Sequence, residues 1–553
     1  MNSPVSRQQK FCLTLVVILV FSVLPVALFA GSDDPDLTVI TEIREEGFHH
    51  SQVMDILSGL TDGIGERLTG SPNLKKANAW TRDQLTQFGL VNAHLEPWGP
   101  FGRGWSNEYT SVRMISPDTT MLYALPKAWT NGTNGVVNGD VVLLKVETPE
   151  DLDQYKGKLA GKIVLLDLPK LNFGRNVESG RYSDKQLADI VNYTLSNRYE
   201  GLRAMILKSR ALNRAVGKFL DQEHVLASIE ASRGDNGLLF VQGTEAYKED
   251  VQPGAPALVM SAEHYGRIER LLERKQPVQL ELDIRNKFYD DDPMAYDTVA
   301  EIPGTDRKDE IVMLGAHLDS WHAGEGATDN GAGVAVTMEA VRILKAIGVK
   351  PRRTIRIGLW TGEEEGLLGS QGYVKTHFGE REKLAVTPAT AQLPEYMRPK
   401  GKLMVKPEQA RVSAYFNLDN GTGRIRGIYT QENAAVKPVF EKWFEPFSDL
   451  SAGSVTMRNT TGTDHLSFDE VDIPGFQFIQ DPMDYETVTH HSNMDVYERA
   501  SKDDLEQAAV IMASFVYNAA MRDQMMPRKP IMDENPQRKA NLAATPSGAP
   551  AGQ

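Results

Sequence analysis

Five short segments of the sequence combine histidines and carboxylates. His317-Leu318-Asp319 follows an apolar run at 311–315, and Asp329-Asn330-Gly331 ends a Gly-rich loop. Glu363-Glu364-Glu365 follows a second apolar run at 354–360, and Asp419 follows a third at 412–418. His490-His491-Ser492-Asn493-Met494-Asp495 comes late in the chain. Imidazole nitrogen and carboxylate oxygen are the donors zinc takes. One His and one carboxylate per ion, with a further carboxylate bridging both, makes five protein ligands. Two ions so held clamp a water and a carbonyl oxygen together, and a carboxylate left free beside them can accept that water's proton. Each motif has an ordinary reading too. Three Glu in a row suit a solvated helix start, and a Gly-rich loop before a helix suits an anion. Here that loop carries Glu325 and Asp329, which repel an anion. The ordered set carries the signal.

These residues need a scaffold that gathers them. From 296 to about 520, apolar runs alternate with helical patterns: strands at 311–315, 354–360 and 412–418, helices at 331–347 and 365–376. That alternation predicts an α/β fold with a mostly parallel central sheet and helices on both faces, whose sites lie beyond the carboxyl ends of the strands. Residues 37–90 read as largely helical, with Ser71-Pro72 starting one helix and Gly89 just past its end. Residues 107–125 read as strands. From 126 to 285 the texture changes to short strand candidates at 136–144, 162–168, 238–241, 257–260 and 278–284, closed by Tyr289-Asp290-Asp291-Asp292-Pro293. This block reads as an inserted domain.

Composition narrows the function. The chain has 553 residues, a formal charge of −14 and one cysteine, Cys12. No basic stripe suggests a nucleic-acid partner, and one cysteine excludes an internal disulfide or a cysteine metal cluster. Arg7 and Lys10 precede an apolar run at 11–30, closed by the small residues Ala30, Gly31 and Ser32. This is the order of a secretory signal, long enough to stay as a membrane anchor. Either way the chain is expected to be exported, secreted or periplasmic. Residues 526–553 read as a disordered tail.

The segments 315–320, 327–333, 363–370, 417–419 and 491–495, taken in order, resemble the co-catalytic di-zinc exopeptidases, the family of bacterial leucyl aminopeptidases and of the plasma glutamate carboxypeptidase type. The resemblance spans roughly residues 40–520 and includes Thr69-Gly70-Ser71 and Gly104-Trp105. It implies a phosphorylase/hydrolase-like zinc exopeptidase fold: residues 33–125 and 291–525 as peptidase domain, with 126–290 as an inserted, β-rich protease-associated domain. It implies two Zn2+ ions, one held by His317 and Asp419, the other by Glu364 and His491, with Asp329 bridging. Glu363 becomes the general base, and Asp319 hydrogen-bonds the ring of His317. Glu365 and His490 are the neighbours that a one-residue slip would substitute. Asp464-His465 and Tyr485 fall where the family lines its substrate pocket. The expected substrate is a peptide, cleaved by an aminopeptidase; a carboxypeptidase or dipeptidase is the alternative, and a glutaminyl cyclase the remote one. A non-catalytic, receptor-like relative would lack ligands, whereas all five positions are filled. A homodimer is the one protein partner to consider.

Overall fold

The computed structural model describes residues 33–169, 180–192, 198–391 and 398–529. The expected signal at 1–32, with Cys12, and most of the expected tail lie outside them. Residues 526–529 are packed against the body: Met526 is buried and Arg528 donates to three backbone carbonyls. Among the described residues, no helix is long and apolar enough to cross a membrane.

Two eight-stranded sheets organise the chain. The catalytic sheet runs, in spatial order, Val91–Pro100, Met294–Ile302, Arg353–Trp360, Arg307–His317, Val412–Asn417, Gly475–Gln480, Ile425–Tyr429 and Ser454–Thr456. The four strands beginning at Arg353, Arg307, Val412 and Gly475 are mutually parallel. Antiparallel pairings flank them on both sides, so the sheet is mixed rather than mostly parallel.

Both faces of the centre are covered, as near-continuous apolar strands require. Val312, Leu314 and Ala316 face a core shared with the helices Leu37–His49, Val53–Thr61, Ala332–Ala346 and Lys502–Met521. Ile311 and Met313, one residue out of phase, face a second core with Tyr373, Val374, Phe378 and Phe468. The helix after Ser71 forms as its sequence indicates: Ser71 accepts from the Leu74 amide, Pro72 opens the first turn, and Gly89 follows with φ +85°.

The second sheet runs Thr120–Met121, Gly104–Ser116, Gln279–Tyr289, Val137–Lys145, Ile163–Asp167, Ala227–Ala231, Ala257–Met260 and Ala124–Pro126. Its first long strand starts at Gly104, ahead of the boundary expected at 126. It is also less purely β than expected. Three of its pairings are parallel, and the helices Arg198–Gln222 and Ala262–Glu273 connect its strands. Leu238–Val241 forms no strand; only a single bridge, Phe240 to Ser492, occurs there. The helix expected at 365–376 begins at Leu368, because Gly366 and Leu367 take φ +122° and +63°, which breaks the helical turn.

Candidate metal centre

The predicted residues converge at the carboxyl ends of the parallel strands. His317 ends the strand Arg307–His317, and Asp419 lies two residues beyond Val412–Asn417. Glu363 and Glu364 follow Arg353–Trp360, and His491 comes from the loop after Gly475–Gln480. Asp329 sits among them. Its two oxygens diverge: Oδ1 is 3.3 Å from His317 Nε2, Oδ2 3.2 Å from His491 Nε2. Asp419 Oδ1 is 3.5 Å from His317 Nε2, and Glu364 Oε2 is 2.9 Å from His491 Nε2. His490 Nε2 stands farther off, 3.8 Å from Asp329 Oδ2, and its other ring nitrogen faces Glu486 at 3.5 Å.

The donor set fits cations. His317 Nε2, Asp329 Oδ2, Glu364 Oε1 and Asp419 Oδ1 are buried and make no hydrogen bond within the chain. Buried polar atoms ordinarily find partners, and here His317, Asp329 and Asp419 lie together in one cluster. His317, Asp329 and Asp419 offer ligand atoms within 4.8 Å of one another, as do Asp329, His490 and His491.

Electrostatics agree. Burial disfavours a charged His317, yet Asp419, Asp319 and Asp329 outweigh it and hold its pKa well above the imidazole range. Burial raises Glu363 and Glu364 well above ordinary carboxyls, and neighbouring carboxylates add to the effect. Asp419, Asp464 and Glu364 are the negative charges acting on Glu363, which places it beside the cluster. Glu365 is raised by burial and by Asp319, and neither of its oxygens carries a well-formed hydrogen bond.

Asp319 bonds the ring of His317 through its main chain. The ring of His317 donates from Nδ1 to the backbone carbonyl of Asp319 at 3.0 Å, while the nearest carboxylate oxygen is 3.6 Å away. The carboxylate instead accepts from Thr69 Oγ1 at 3.0 Å and from the amides of Glu363 and Glu364, each at 3.3 Å. Asp319 thus fixes one ligand by its main chain and the glutamate turn by its side chain.

Several supporting residues escaped sequence reasoning. Asp495, seen only as part of a motif, accepts from the amides of Thr328 and Asp329 at 2.5 and 3.2 Å. Trp321 donates to Glu364 Oε2 at 2.7 Å. Arg67, fully buried, donates to the carbonyls of Gly65, Leu318, Glu325 and Gly326. It thereby fixes the loop that leads to Asp329. Gly326 has φ +63° there, and a Cβ would collide with the Ser320 side chain.

The second sheet's domain reaches the centre. The amide of Val241 donates to the carbonyl of His491 at 2.9 Å, and Asn493 Oδ1 accepts from the amide of Leu239 at 2.8 Å. Trp129 meets Trp321 edge-on at 6.0 Å. Of the expected pocket residues, Asp464 adjoins the cluster, and burial lifts its pKa to about 7. His465 turns away to accept from Gln431 at 3.0 Å. The Tyr485 ring stacks on His490 at 4.7 Å.

A paired-metal hydrolytic centre on an α/β scaffold is the class that fold and site define. Residues 297–516 match peptidase family M28. Carboxypeptidase Q of Pongo abelii is 27% identical over 476 residues, covering 85% of this chain and 86% of the relative. Aminopeptidase YwaD of Bacillus subtilis (strain 168) is 29% identical over 221 residues, covering 39% of this chain and 42% of the relative. The crystal structure of a peptidase M28 precursor from Shewanella amazonensis SB2B superposes with a TM-score of 0.64 at 24% identity, over 90% of this chain and 100% of that one. Residues 297–516 are thus a domain of peptidase family M28, the co-catalytic zinc exopeptidases. The chain is an enzyme that hydrolyses peptides, with two zinc ions as cofactors.

Proposed function

We propose that the enzyme is an exported aminopeptidase that removes residues from free N-termini. The observation that carries this reading is the surplus of carboxyl groups. Asp329, Glu364 and Asp419 supply three negative charges against the four positive charges of two zinc ions. Glu363, Glu365, Asp319, Asp464 and Asp495 add five more carboxyls around them. Such a cleft favours a substrate ammonium over a substrate carboxylate. Arg67, whose charge acts on this group, is buried and directs four of its five N–H donors to backbone carbonyls.

In this reading His317 and Asp419 hold one ion, Glu364 and His491 the other, and Asp329 bridges. His491 is preferred to His490 because it lies nearer both Asp329 and Glu364. When bound, the ions acidify a water and polarise the scissile carbonyl. Glu363, with its raised pKa, takes the proton from the attacking water and returns it to the leaving amine. Asp319 holds the Glu363–Glu364 turn, and Asp495 holds the Asp329 loop. The second sheet's domain is read as an inserted domain of protease-associated type that narrows access to the cleft. Residues 1–32 are read as the export signal, which N-terminal sequencing of the mature protein checks.

Carboxypeptidase action is the second reading, favoured by the relatives named carboxypeptidase Q, which match over most of the chain. Three tripeptides decide between them: Leu-Gly-Gly, its N-acetyl form and its C-terminal amide. Cleavage of the free peptide and the amide, but not the acetyl form, supports the aminopeptidase. Cleavage of the acetyl form with the amide resistant overturns it in favour of the carboxypeptidase.

A further inference from the structure

A cavity of about 120 Å³ opens beside the metal centre. Asn420, Tyr429, Gln477, Tyr485 and Glu486 line it from the catalytic sheet's side, and Tyr182 lines it from the other. It is continuous with the ligand loops. Asn420 follows Asp419, Gln477 donates to the carbonyl of Asp419 at 2.5 Å, and Tyr485 stacks on His490. Its lining mixes the tyrosines Tyr182, Tyr429 and Tyr485 with the carboxamides of Asn420, Gln477 and Gln480, and among the described residues no cation lines it.

Tyr182 belongs to a different part of the chain from the rest of the lining. It lies on the segment 180–192, between the second sheet's strand Ile163–Asp167 and its helix Arg198–Gln222. That segment leaves the second sheet and fastens onto the catalytic domain as a strap. Arg181 reaches both Asp481, at 3.0 Å, and Asp504, at 2.8 Å. Both aspartates are fully buried, and Arg426 and Arg424 complete the network at 2.9 Å each. The amide of Tyr182 donates to Asp481 at 3.0 Å, its carbonyl accepts from Arg426, and the amide of Met483 donates to the carbonyl of Gly180 at 2.9 Å. Farther along, Thr456 Oγ1 donates to the carbonyl of Ile190 at 2.8 Å. Buried charged pairs sharing hydrogen bonds of this kind fix a geometry closely.

We infer that Tyr182 is a specificity-determining residue: the strap docks it as the outer wall of the pocket that receives the substrate side chain next to the scissile bond. The pocket takes an uncharged side chain of moderate size, such as leucine or methionine. Glu486 disfavours an acidic one, and the Tyr182 ring closes the depth an aromatic one would need. This rests on the aminopeptidase reading for which substrate residue occupies the pocket, but not for the existence of the wall.

The test uses two dipeptide series, X-Gly and Gly-X, with X as Ala, Leu, Phe and Trp, on the full-length zinc enzyme. Dipeptides are substrates under either polarity. In Tyr182→Ala, the ratio of kcat/KM for Phe to that for Leu rises about tenfold or more, the scale at which pocket shape discriminates apolar side chains. In Tyr182→Trp, the ratio for Leu to Ala falls by a similar factor. A shift in the X-Gly series supports the wall on the side of the residue before the scissile bond. A shift confined to Gly-X supports the wall on the side of the residue after it, and the three tripeptides above decide the polarity independently. Ratios unchanged within twofold in both series and both variants, each retaining two zinc ions, overturn the role of Tyr182.

Discussion

Trp321 donates its indole N–H to Oε2 of Glu364 at 2.7 Å, and its ring meets His491 edge-on at 6.0 Å. One side chain therefore touches both residues assigned to the same ion. The same ring abuts Trp129 of the second sheet's domain. Hydrogen bonds to ligating groups set ligand orientation and basicity.

Trp321→Phe keeps most of the ring and removes the donor. Zinc affinity at the Glu364–His491 position is expected to fall about 10- to 100-fold, with the His317–Asp419 position unaffected. Titration of the holoenzyme against a competing chelator reads the two steps separately. Two unchanged steps would count against any orienting role.

Glu363→Gln removes the proposed proton acceptor at nearly constant shape. The variant is expected to retain two zinc ions while kcat falls about 10²- to 10⁴-fold. Full activity in the zinc-loaded variant would end the assignment.

Zinc removal leaves Asp329, Glu364 and Asp419 facing one another in a buried cluster. The urea midpoint is expected to drop on chelation and recover on adding zinc. At a thousandfold excess over Kd, each bound ion contributes about 4 kcal/mol. A midpoint indifferent to chelator would contradict a buried metal centre.

His322 supplies a pH dependence separate from the ligands. It is partly buried beside Trp105 and donates from Nε2 to the carbonyl of Pro126 at 2.8 Å; burial depresses its pKa to about 4. Between pH 4 and 6.5 the unfolded chain binds a proton there and the folded chain does not. Stability from this group is therefore full above pH 6.5 and is lost as pH falls toward 4, by about 3 kcal/mol. His322→Gln is expected to be less stable at pH 7.5 yet to show a shallower loss between pH 6.5 and 4. Parallel curves for both proteins would refute this.

Local pattern disclosed the catalytic half well. Val312, Leu314 and Ala316 sit in a strand buried on both faces, and such strands read as continuous apolar runs. The residues just after those runs are the ones the fold brings together around Asp329. What stayed hidden was long-range. Thr69 and Asp319 are 250 positions apart, Trp321 and Glu364 are 43 apart, and neither bond leaves a trace in local spacing. The strand Gly104–Ser116 alternates as a strand of either sheet would. Only its pairing with Gln279–Tyr289 assigns it to the second. Leu238–Val241 has strand-like composition but serves as a prop for the His491 loop. Whether a carbonyl or a carboxylate of Asp319 meets the ring of His317 depends on loop geometry that composition does not encode.

The strand Val91–Pro100 pairs with Met294–Ile302, and Pro100 lies opposite Met294. Immediately beyond, Gly104 lies opposite Tyr289 as the first partners of the second sheet. Everything between therefore enters and leaves through one point, the tip of a hairpin. Replacing that excursion by a tight turn would require no re-pairing in the catalytic sheet. At the level of the gene, such a module can be gained, exchanged or lost in one event. The exposed face of Trp321 would then be the scar that reveals the loss.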